Sequence, residues 1–170
     1  MPKPIKIDLP YPSLAGIGED LRTARLLSPA YAGIHSELTA ILQYVYHYFN
    51  FIKEFDEKTA DTLMGIAIAE MEHLEILGNL LVKLGVDPIY THFPPYRTEY
   101  YSTRAVSYSK TPVKMLLDDI SGEMLAISEY KNFIERSNNE RVNEIIARIL
   151  LDEELHLTML KDLAKQYLKN

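Results

Sequence analysis

Two copies of a Glu-x-x-His pattern carry the most chemical information in this sequence. Glu70 and His73 form the first copy, and Glu153 and His156 form the second. On an α-helix, residues three apart lie side by side on one face. Carboxylate and imidazole together suit iron or manganese. The two copies therefore predict metal binding on helices.

A lone glutamate precedes each copy by about thirty residues. Glu37 lies 33 residues before the first copy, and Glu123 lies 30 residues before the second. Each is followed seven residues later, two turns along the same face, by a tyrosine: Tyr44 and Tyr130. The chain is thus a hidden tandem repeat of helix pairs, which we expect to meet around a pseudo-twofold axis.

These acidic residues and histidines fall at positions where the helical pattern otherwise places leucine, isoleucine, valine or tyrosine. Four carboxylates in a core are costly unless a cation neutralises them, and no lysine or arginine occupies those positions. Two divalent ions would cancel the four negative charges. The alternative, a bundle with buried Glu–His hydrogen bonds, leaves at least two carboxylates unpaired. We predict a two-ion site of iron or manganese with these ligands: Glu37, Glu70, His73, Glu123, Glu153 and His156.

Four long segments with helical periodicity must position these residues. They are predicted over Pro29 to Phe55, Glu57 to Leu84, Thr111 to Ser137, and from there to the C-terminus. Some 25 residues with three prolines separate the second segment from the third. Short, long and short connections predict an all-α, four-helix bundle with one long crossover between helices 2 and 3. Residues 1–28 are predicted as an extended N-terminal arm with a short helix near 19–27, and residues 29–170 as the bundle domain.

Composition excludes several function classes. The 170 residues include no cysteine, so disulfides, thiolate catalysis and iron–sulfur clusters are excluded. A net charge of −6 argues against nucleic-acid binding. No apolar run approaches the roughly 18 residues of a membrane span, and the N-terminus lacks the apolar stretch of a signal peptide. We expect a cytoplasmic protein.

The full ligand set resembles the ferritin-like dimetal-carboxylate superfamily, with bacterioferritin, manganese catalase and rubrerythrin as the most similar branches. The resemblance covers about residues 29–168. It implies that the glutamates of the two Glu-x-x-His pairs bridge the ions. The two lone glutamates are then terminal ligands, and each histidine binds one ion.

The same resemblance suggests roles for neighbouring residues. Tyr44 is similar to the tyrosine that lines the bacterioferritin site, and Asp119 to an aspartate that orients a ligand histidine there. Met71 occupies the place of the haem-binding methionine of bacterioferritins, but haem is not expected. Rubrerythrins carry an extra glutamate where this chain has Ala126, which argues against a standard peroxidase of that type. His35 and His47 fall beside the ligand face and are not expected to be ligands.

The predicted function is a dimetal oxidoreductase that reduces O2 or H2O2, either ferroxidase-like with Fe2+ as substrate or catalase-like. The alternatives are a non-enzymatic iron-storage or coat-forming assembly protein with a structural dimetal site, and oxidation of an organic substrate. The first predicted helix is apolar beyond its ligand face. A homodimer or larger homo-oligomer through that helix is therefore predicted, with four contact residues: Leu42, Val45, Tyr46 and Phe49.

Overall fold

The computed structural model describes residues 2–91 and 100–169. Within these ranges the regular structure is helical, apart from one isolated β-bridge between Thr91 and Tyr100. The α-helices are α1 (Leu21–Ala32), α2 (Glu37–Glu54), α3 (Glu57–Lys83), α4 (Pro112–Arg136) and α5 (Glu140–Leu168). A single 3₁₀ turn, Thr103–Ala105, lies in the crossover between α3 and α4. No helix in the described ranges is long and apolar enough to cross a membrane.

The four long helices begin where the sequence offers capping residues. Ser36 accepts a hydrogen bond from the Thr39 amide at the start of α2, Asp56 caps α3, and Asn139 accepts from the amide of Val142 in α5. The first helical residue of α4 is Pro112, whose missing N–H would have no partner there in any case. The all-α bundle with one crossover between its second and third helices is confirmed, although residues 92–99 of the crossover lie outside the described ranges.

The prediction of one continuous helix over 29–55 is wrong, because the chain leaves the helix at Gly33 and re-enters at Glu37. A Cβ at Gly33 would lie 2.4 Å from the Pro29 carbonyl oxygen, so this exit needs a glycine. Ser28 lies inside α1, and its hydroxyl donates to the carbonyl of Ala24 one turn earlier. The predicted short helix near 19–27 is α1, which is longer than expected. The division into an arm and a bundle domain at residue 28 stays a prediction.

Two apolar clusters lie along the bundle, and the acidic residues and histidines come between them. Along α3, Ile66 belongs to one cluster and Leu77 to the other, with Glu70 and His73 between. The antiparallel α5 passes through the same layers in reverse order, from Ile149 to Leu160. The polar layer is therefore enclosed by close-packed apolar side chains at both ends.

Candidate metal centre

All six predicted ligands point into the middle of the bundle. Their side chains come from four helices: α2 supplies one in its first turn, α3 and α5 supply two each, and α4 supplies one. Each is at most 4% exposed. They are Glu37, Glu70, His73, Glu123, Glu153 and His156.

The structure gathers these residues into two overlapping groups. One group is Glu37, Glu70, His73 and Glu153, and the other shares Glu70 and Glu153 and adds one glutamate and one histidine, Glu123 and His156. Within each group, one ligand atom per residue lies within 4.8 Å of all the others. The structure thus brings the six predicted residues together, with Glu70 and Glu153 common to both groups.

Both histidines turn the same ring nitrogen toward the shared glutamates. His73 Nδ1 lies 3.0 Å from Glu70 Oε2 and 3.2 Å from Glu153 Oε1. His156 Nδ1 lies 2.8 Å from Glu70 Oε1 and 3.5 Å from Glu153 Oε2. The two Nδ1 atoms are therefore the imidazole ligand atoms that this site offers.

Two tyrosines bind the lone glutamates across the repeat. The Tyr44 hydroxyl, on α2, donates to Glu123 on α4, and the Tyr130 hydroxyl, on α4, donates to Glu37 on α2. Burial, followed by the charge of the bonded glutamate, raises the pKa of each tyrosine well above its usual value. Both hydroxyls therefore stay protonated and act as donors. Tyr44 lies where the sequence predicted, and Tyr130 has the matching role.

The four glutamates differ in their affinity for protons. Burial and then the charges of Glu70 and Glu153 raise the pKa of Glu37 well above its usual value, and Glu123 is shifted in the same direction by the same causes. Burial also acts to raise the pKa of Glu70, but the positive charges of the two histidines outweigh it and the net shift is well downward. The pKa of Glu153 is lowered too, chiefly by hydrogen bonds from the histidines against burial and the Glu70 charge.

The two site histidines have raised pKa values and therefore bind protons more tightly than usual. Burial acts to lower the pKa of His73, yet the Glu70 charge and hydrogen bonds to carboxylates raise it well above its usual value. His156 is raised in the same way by Glu153 and Glu70. Without metal, the site therefore balances two imidazolium rings against the two shared carboxylates.

This proton arrangement leaves ligand atoms unsatisfied, which tests whether metal ions fit. Among the described residues, four buried site atoms have no well-formed hydrogen bond, although charged neighbours lie at contact distance: Glu70 Oε1, Glu123 Oε2, Glu153 Oε1 and His156 Nδ1. Buried polar atoms are rarely left in this state. Oxygen and imidazole donors that face one point and lack partners fit iron or manganese ions.

The groups that hold the outer nitrogens of the two histidines were not predicted from the sequence. His73 Nε2 lies 3.1 Å from Asp152 Oδ2, and His156 Nε2 lies 2.7 Å from the carbonyl oxygen of Ile5. Such contacts set the tautomer of a ligand histidine and its orientation. Asp152 directly precedes a predicted ligand, Glu153, and that adjacency was the available signal. A backbone carbonyl leaves no trace in the sequence.

Asp119 has a different role from the predicted one. It does not orient a ligand histidine, because its carboxylate lies 2.9 Å from Nδ1 of His47 and accepts from the Gln43 amide at 2.8 Å. His47 is fully buried, which its place beside the ligand face did not suggest, whereas His35 is exposed. Neither histidine belongs to the two groups that could hold a metal ion. Met71 is 43% exposed on α3.

A cavity of about 210 Å³ opens onto the site between α2 and α4. That volume is far more than one water molecule needs. Its lining includes all four site glutamates together with Tyr44 and Tyr130, while His73 and His156 are not among the lining residues that the structure describes. The site therefore has an accessible carboxylate side and a closed histidine side.

A family model described as a ferritin-like domain matches residues 32–168. The structure is similar to wild-type KatB, a manganese catalase from Anabaena, with a TM-score of 0.77 and 23% identity, covering 94% of this chain and 78% of that one. A KatB structure from Anabaena PCC7120 gives a TM-score of 0.79 at the same identity and coverage.

A third similar structure is the bacterioferritin of Rhodobacter capsulatus, solved with a metal-free dinuclear site and a haem iron. Its TM-score is 0.73 at 22% identity, and the match covers 89% of each chain. At these identities the likeness to solved structures concerns the fold. A search of curated protein sequences gives no match.

Proposed function

The chain belongs to the ferritin-like domain family, and from that premise we propose that it is an oxidoreductase that binds two iron or two manganese ions and reduces O2 or H2O2. The observation that carries the proposal is the pair of overlapping ligand groups that share Glu70 and Glu153. Two classes of reaction are compatible with it. In a ferroxidase-like reaction Fe2+ is the substrate, and in a catalase-like reaction H2O2 is both oxidant and reductant.

A pair of such ions supplies two-electron redox chemistry in one step. The chain's part is to hold them together: Glu70 and Glu153 each carry two oxygens and belong to both groups, so each can bind both ions. The four site carboxylates carry a charge of −4 when ionised, which two divalent ions balance at +4. A neutral total matters because a net charge in a dry core is costly.

The tyrosines keep the lone glutamates oriented. Tyr44 and Tyr130 each donate to one carboxylate oxygen, which leaves the other oxygen of Glu123 and Glu37 available as a ligand. The raised pKa values keep both hydroxyl protons in place. We therefore assign these tyrosines to ligand orientation, with their hydroxyl protons beside the reacting centre.

Substrate access follows from the two sides of the site. The cavity reaches the carboxylates and is open enough for several small molecules, so O2, H2O2 or Fe2+ would enter between α2 and α4. Glu129 and Asp118 lie in the same lining and add negative charge along the route. The histidines, on the closed side, are shielded from incoming substrate.

We also propose a homodimer or larger homo-oligomer. The outer face of α2 supports it, because Phe49 is 59% exposed and Ile52 is 47% exposed, with Leu42, Val45 and Tyr46 half-buried beside them. Apolar side chains in a contiguous exposed patch commonly mark a protein interface.

One set of assays tests the enzymatic proposal. Protein reconstituted separately with Mn2+ and with Fe2+ is analysed for metal content and then given H2O2, with evolved oxygen and ferric absorbance recorded. We expect two ions per chain, and either oxygen release from peroxide or oxidation of added Fe2+. Glu70→Gln should abolish both binding and turnover, because this residue belongs to both groups. Glu75→Gln, at an exposed position on the same helix, is the matched control and should change neither.

The outcomes separate the alternatives. Oxygen release with manganese supports the catalase-like reaction, and Fe2+ oxidation supports the ferroxidase-like one. Fewer than two ions per chain would refute the dimetal site. Two tightly bound ions with neither activity would refute the enzyme and favour a storage or assembly protein.

A further inference from the structure

The chain begins with an extended segment, residues 2–11, which precedes the part matched by the family model. We call this segment the strap. We infer that the strap is a positioning element of the metal centre, which sets the outer hydrogen bonds of both ligand histidines. The inference rests on the proposed function, since it treats the buried imidazoles as metal ligands.

The strap contacts His156 directly. The Ile5 carbonyl oxygen accepts a hydrogen bond from Nε2 of His156 at 2.7 Å. This bond requires the proton on Nε2, so Nδ1, which lies 2.8 Å from Glu70, is the nitrogen that gives up its proton when a metal ion binds. The ring is fully buried. Ile5 thus selects the one neutral tautomer that can bind a metal ion through Nδ1.

A glycine in the middle of α3 makes room for this contact. The Ile5 amide donates to the Gly65 carbonyl oxygen at 3.0 Å. A Cβ at Gly65 would lie 2.9 Å from the Ile5 side chain and 3.0 Å from the Lys3 carbonyl oxygen. Glycine inside a helix lowers its stability, so its presence here is explained by the close approach of the strap.

The strap reaches His73 through Asp152. The Asp152 carboxylate, which faces His73 Nε2, accepts hydrogen bonds from the Ile7 amide and the Tyr11 hydroxyl, both at 2.7 Å. Arg148 lies 2.8 Å from the same carboxylate and donates to strap carbonyls, including that of Ile7 at 2.6 Å. The Asp152 carboxylate therefore links the strap to the outer nitrogen of His73, 3.1 Å away.

The internal repeat shows why the strap is needed. Asp152 directly precedes Glu153, and the residue at the same place before Glu70 is Ala69. Alanine has no hydrogen-bonding side chain, so α3 cannot supply His156 with a side-chain acceptor as α5 supplies His73. The Ile5 carbonyl occupies that role. The strap therefore supplies the hydrogen-bond acceptor of His156 and holds in place the carboxylate that contacts His73.

Two substitutions separate the direct and the indirect contact. Gly65→Ala should displace the strap at Ile5, and Gly78→Ala is its control, because Gly78 lies on the same helix and its added Cβ would have the Tyr31 side chain as its nearest neighbour, at 3.3 Å. Tyr11→Phe removes one hydrogen bond to Asp152 while keeping the aromatic ring. Both test variants retain the full chain.

The first measurement uses metal-free protein with 15N-labelled histidine. Imidazole N–H exchange is followed by NMR at each ring. Gly65→Ala should speed exchange at His156 Nε2 and leave His73 unchanged, whereas Tyr11→Phe should do the reverse. If the strap only stabilised the fold, the two substitutions would not each speed exchange at a different ring. Gly78→Ala should match the wild type at both.

The second measurement is titration with Mn2+. Loss of an outer hydrogen bond to a metal-binding histidine typically weakens binding about 10- to 100-fold. In Gly65→Ala we expect this loss for one of the two ions, with the other unchanged. Wild-type affinity for both ions in Gly65→Ala and Tyr11→Phe, together with unchanged exchange, would overturn the role of the strap. Wild-type protein that binds no Mn2+ but shows the exchange pattern would refute the proposed function and retain the strap contacts.

Discussion

Loading the metal-free protein with two divalent ions should release protons, up to four per chain. Near neutral pH the raised pKa values predict one extra proton on each of His73 and His156 and one on each of Glu37 and Glu123. The two shared carboxylates are ionised, so the charges sum to +2 − 2 = 0. With metal bound, the sum is +4 − 4 = 0 and all four protons have left. The site exchanges four protons for two ions at constant charge.

The magnitude follows from this count. If four protons are released, the product of the two apparent binding constants changes by up to about 10⁴ per pH unit, or roughly 5.4 kcal/mol for the pair of ions. If Glu37 and Glu123 are already ionised at the working pH, the release falls to the two histidine protons, and the change is about 10² per pH unit. Acidification should therefore strip the metal steeply.

Calorimetric titration with Mn2+ in two weakly coordinating buffers of different ionisation enthalpy counts the protons. We expect between two and four per two ions at pH 7, with the count falling as the pH rises. Glu75→Gln should release the same number as the wild type. Binding of two ions with fewer than two protons released would show that at least one of the two histidines is neutral in the metal-free protein, which would refute the balance of charges derived for the site.

Three further predictions concern the metal-free state and the assembly. The folded-state pKa values of His73 and His156 are raised, so their stabilising contribution is complete below about pH 6.5 and is lost at higher pH. The melting temperature of the metal-free protein should therefore fall from pH 6.5 to 9. A melting temperature that does not change over this range would contradict the prediction. Glu37→Gln replaces a carboxyl that resists ionisation with a neutral amide, so at pH 8 the metal-free variant should melt no lower than the wild type, while elemental analysis finds fewer than two ions. A charge at half-buried Val45 on the outer face of α2, as in Val45→Glu, should give monomers in light scattering, and a wild type already monomeric at micromolar concentration would refute the interface.

The ligand face was predictable because helical periodicity carries it. On α3, steps of three and four residues from Leu63 to Leu84 place every predicted position on one side, and all of them are buried in the structure. A glutamate or histidine in such a series is buried, and its burial is costly unless a cation or a hydrogen-bonding partner is present. Spacing and burial cost together were therefore enough to identify the six residues that the structure brings together.

The details that the sequence did not reveal depend on contacts rather than on periodicity. The helix breaks at Gly33 in a conformation where a Cβ would meet the Pro29 carbonyl, and the apolar pattern runs on through it. His47 lies off the ligand face by spacing, yet Asp119 from α4 meets it inside the bundle. The partner of His156 is a main-chain oxygen at Ile5, 151 residues away. None of these follows from residue types at helical spacing.

The repeat is therefore symmetric in its candidate ligands but not in the hydrogen bonds that hold the outer nitrogens of the histidines. Its ligands obey the pseudo-twofold relation, down to the paired tyrosines that cross between α2 and α4. Its outer hydrogen bonds do not: an ionised carboxylate supports one histidine, and a neutral carbonyl supports the other. An imidazole that is hydrogen-bonded to a carboxylate is a stronger electron donor to a metal ion than one that is hydrogen-bonded to a carbonyl. Two sets of candidate ligands with the same composition thus differ in what holds their histidines, which is Asp152 on one side and the strap on the other.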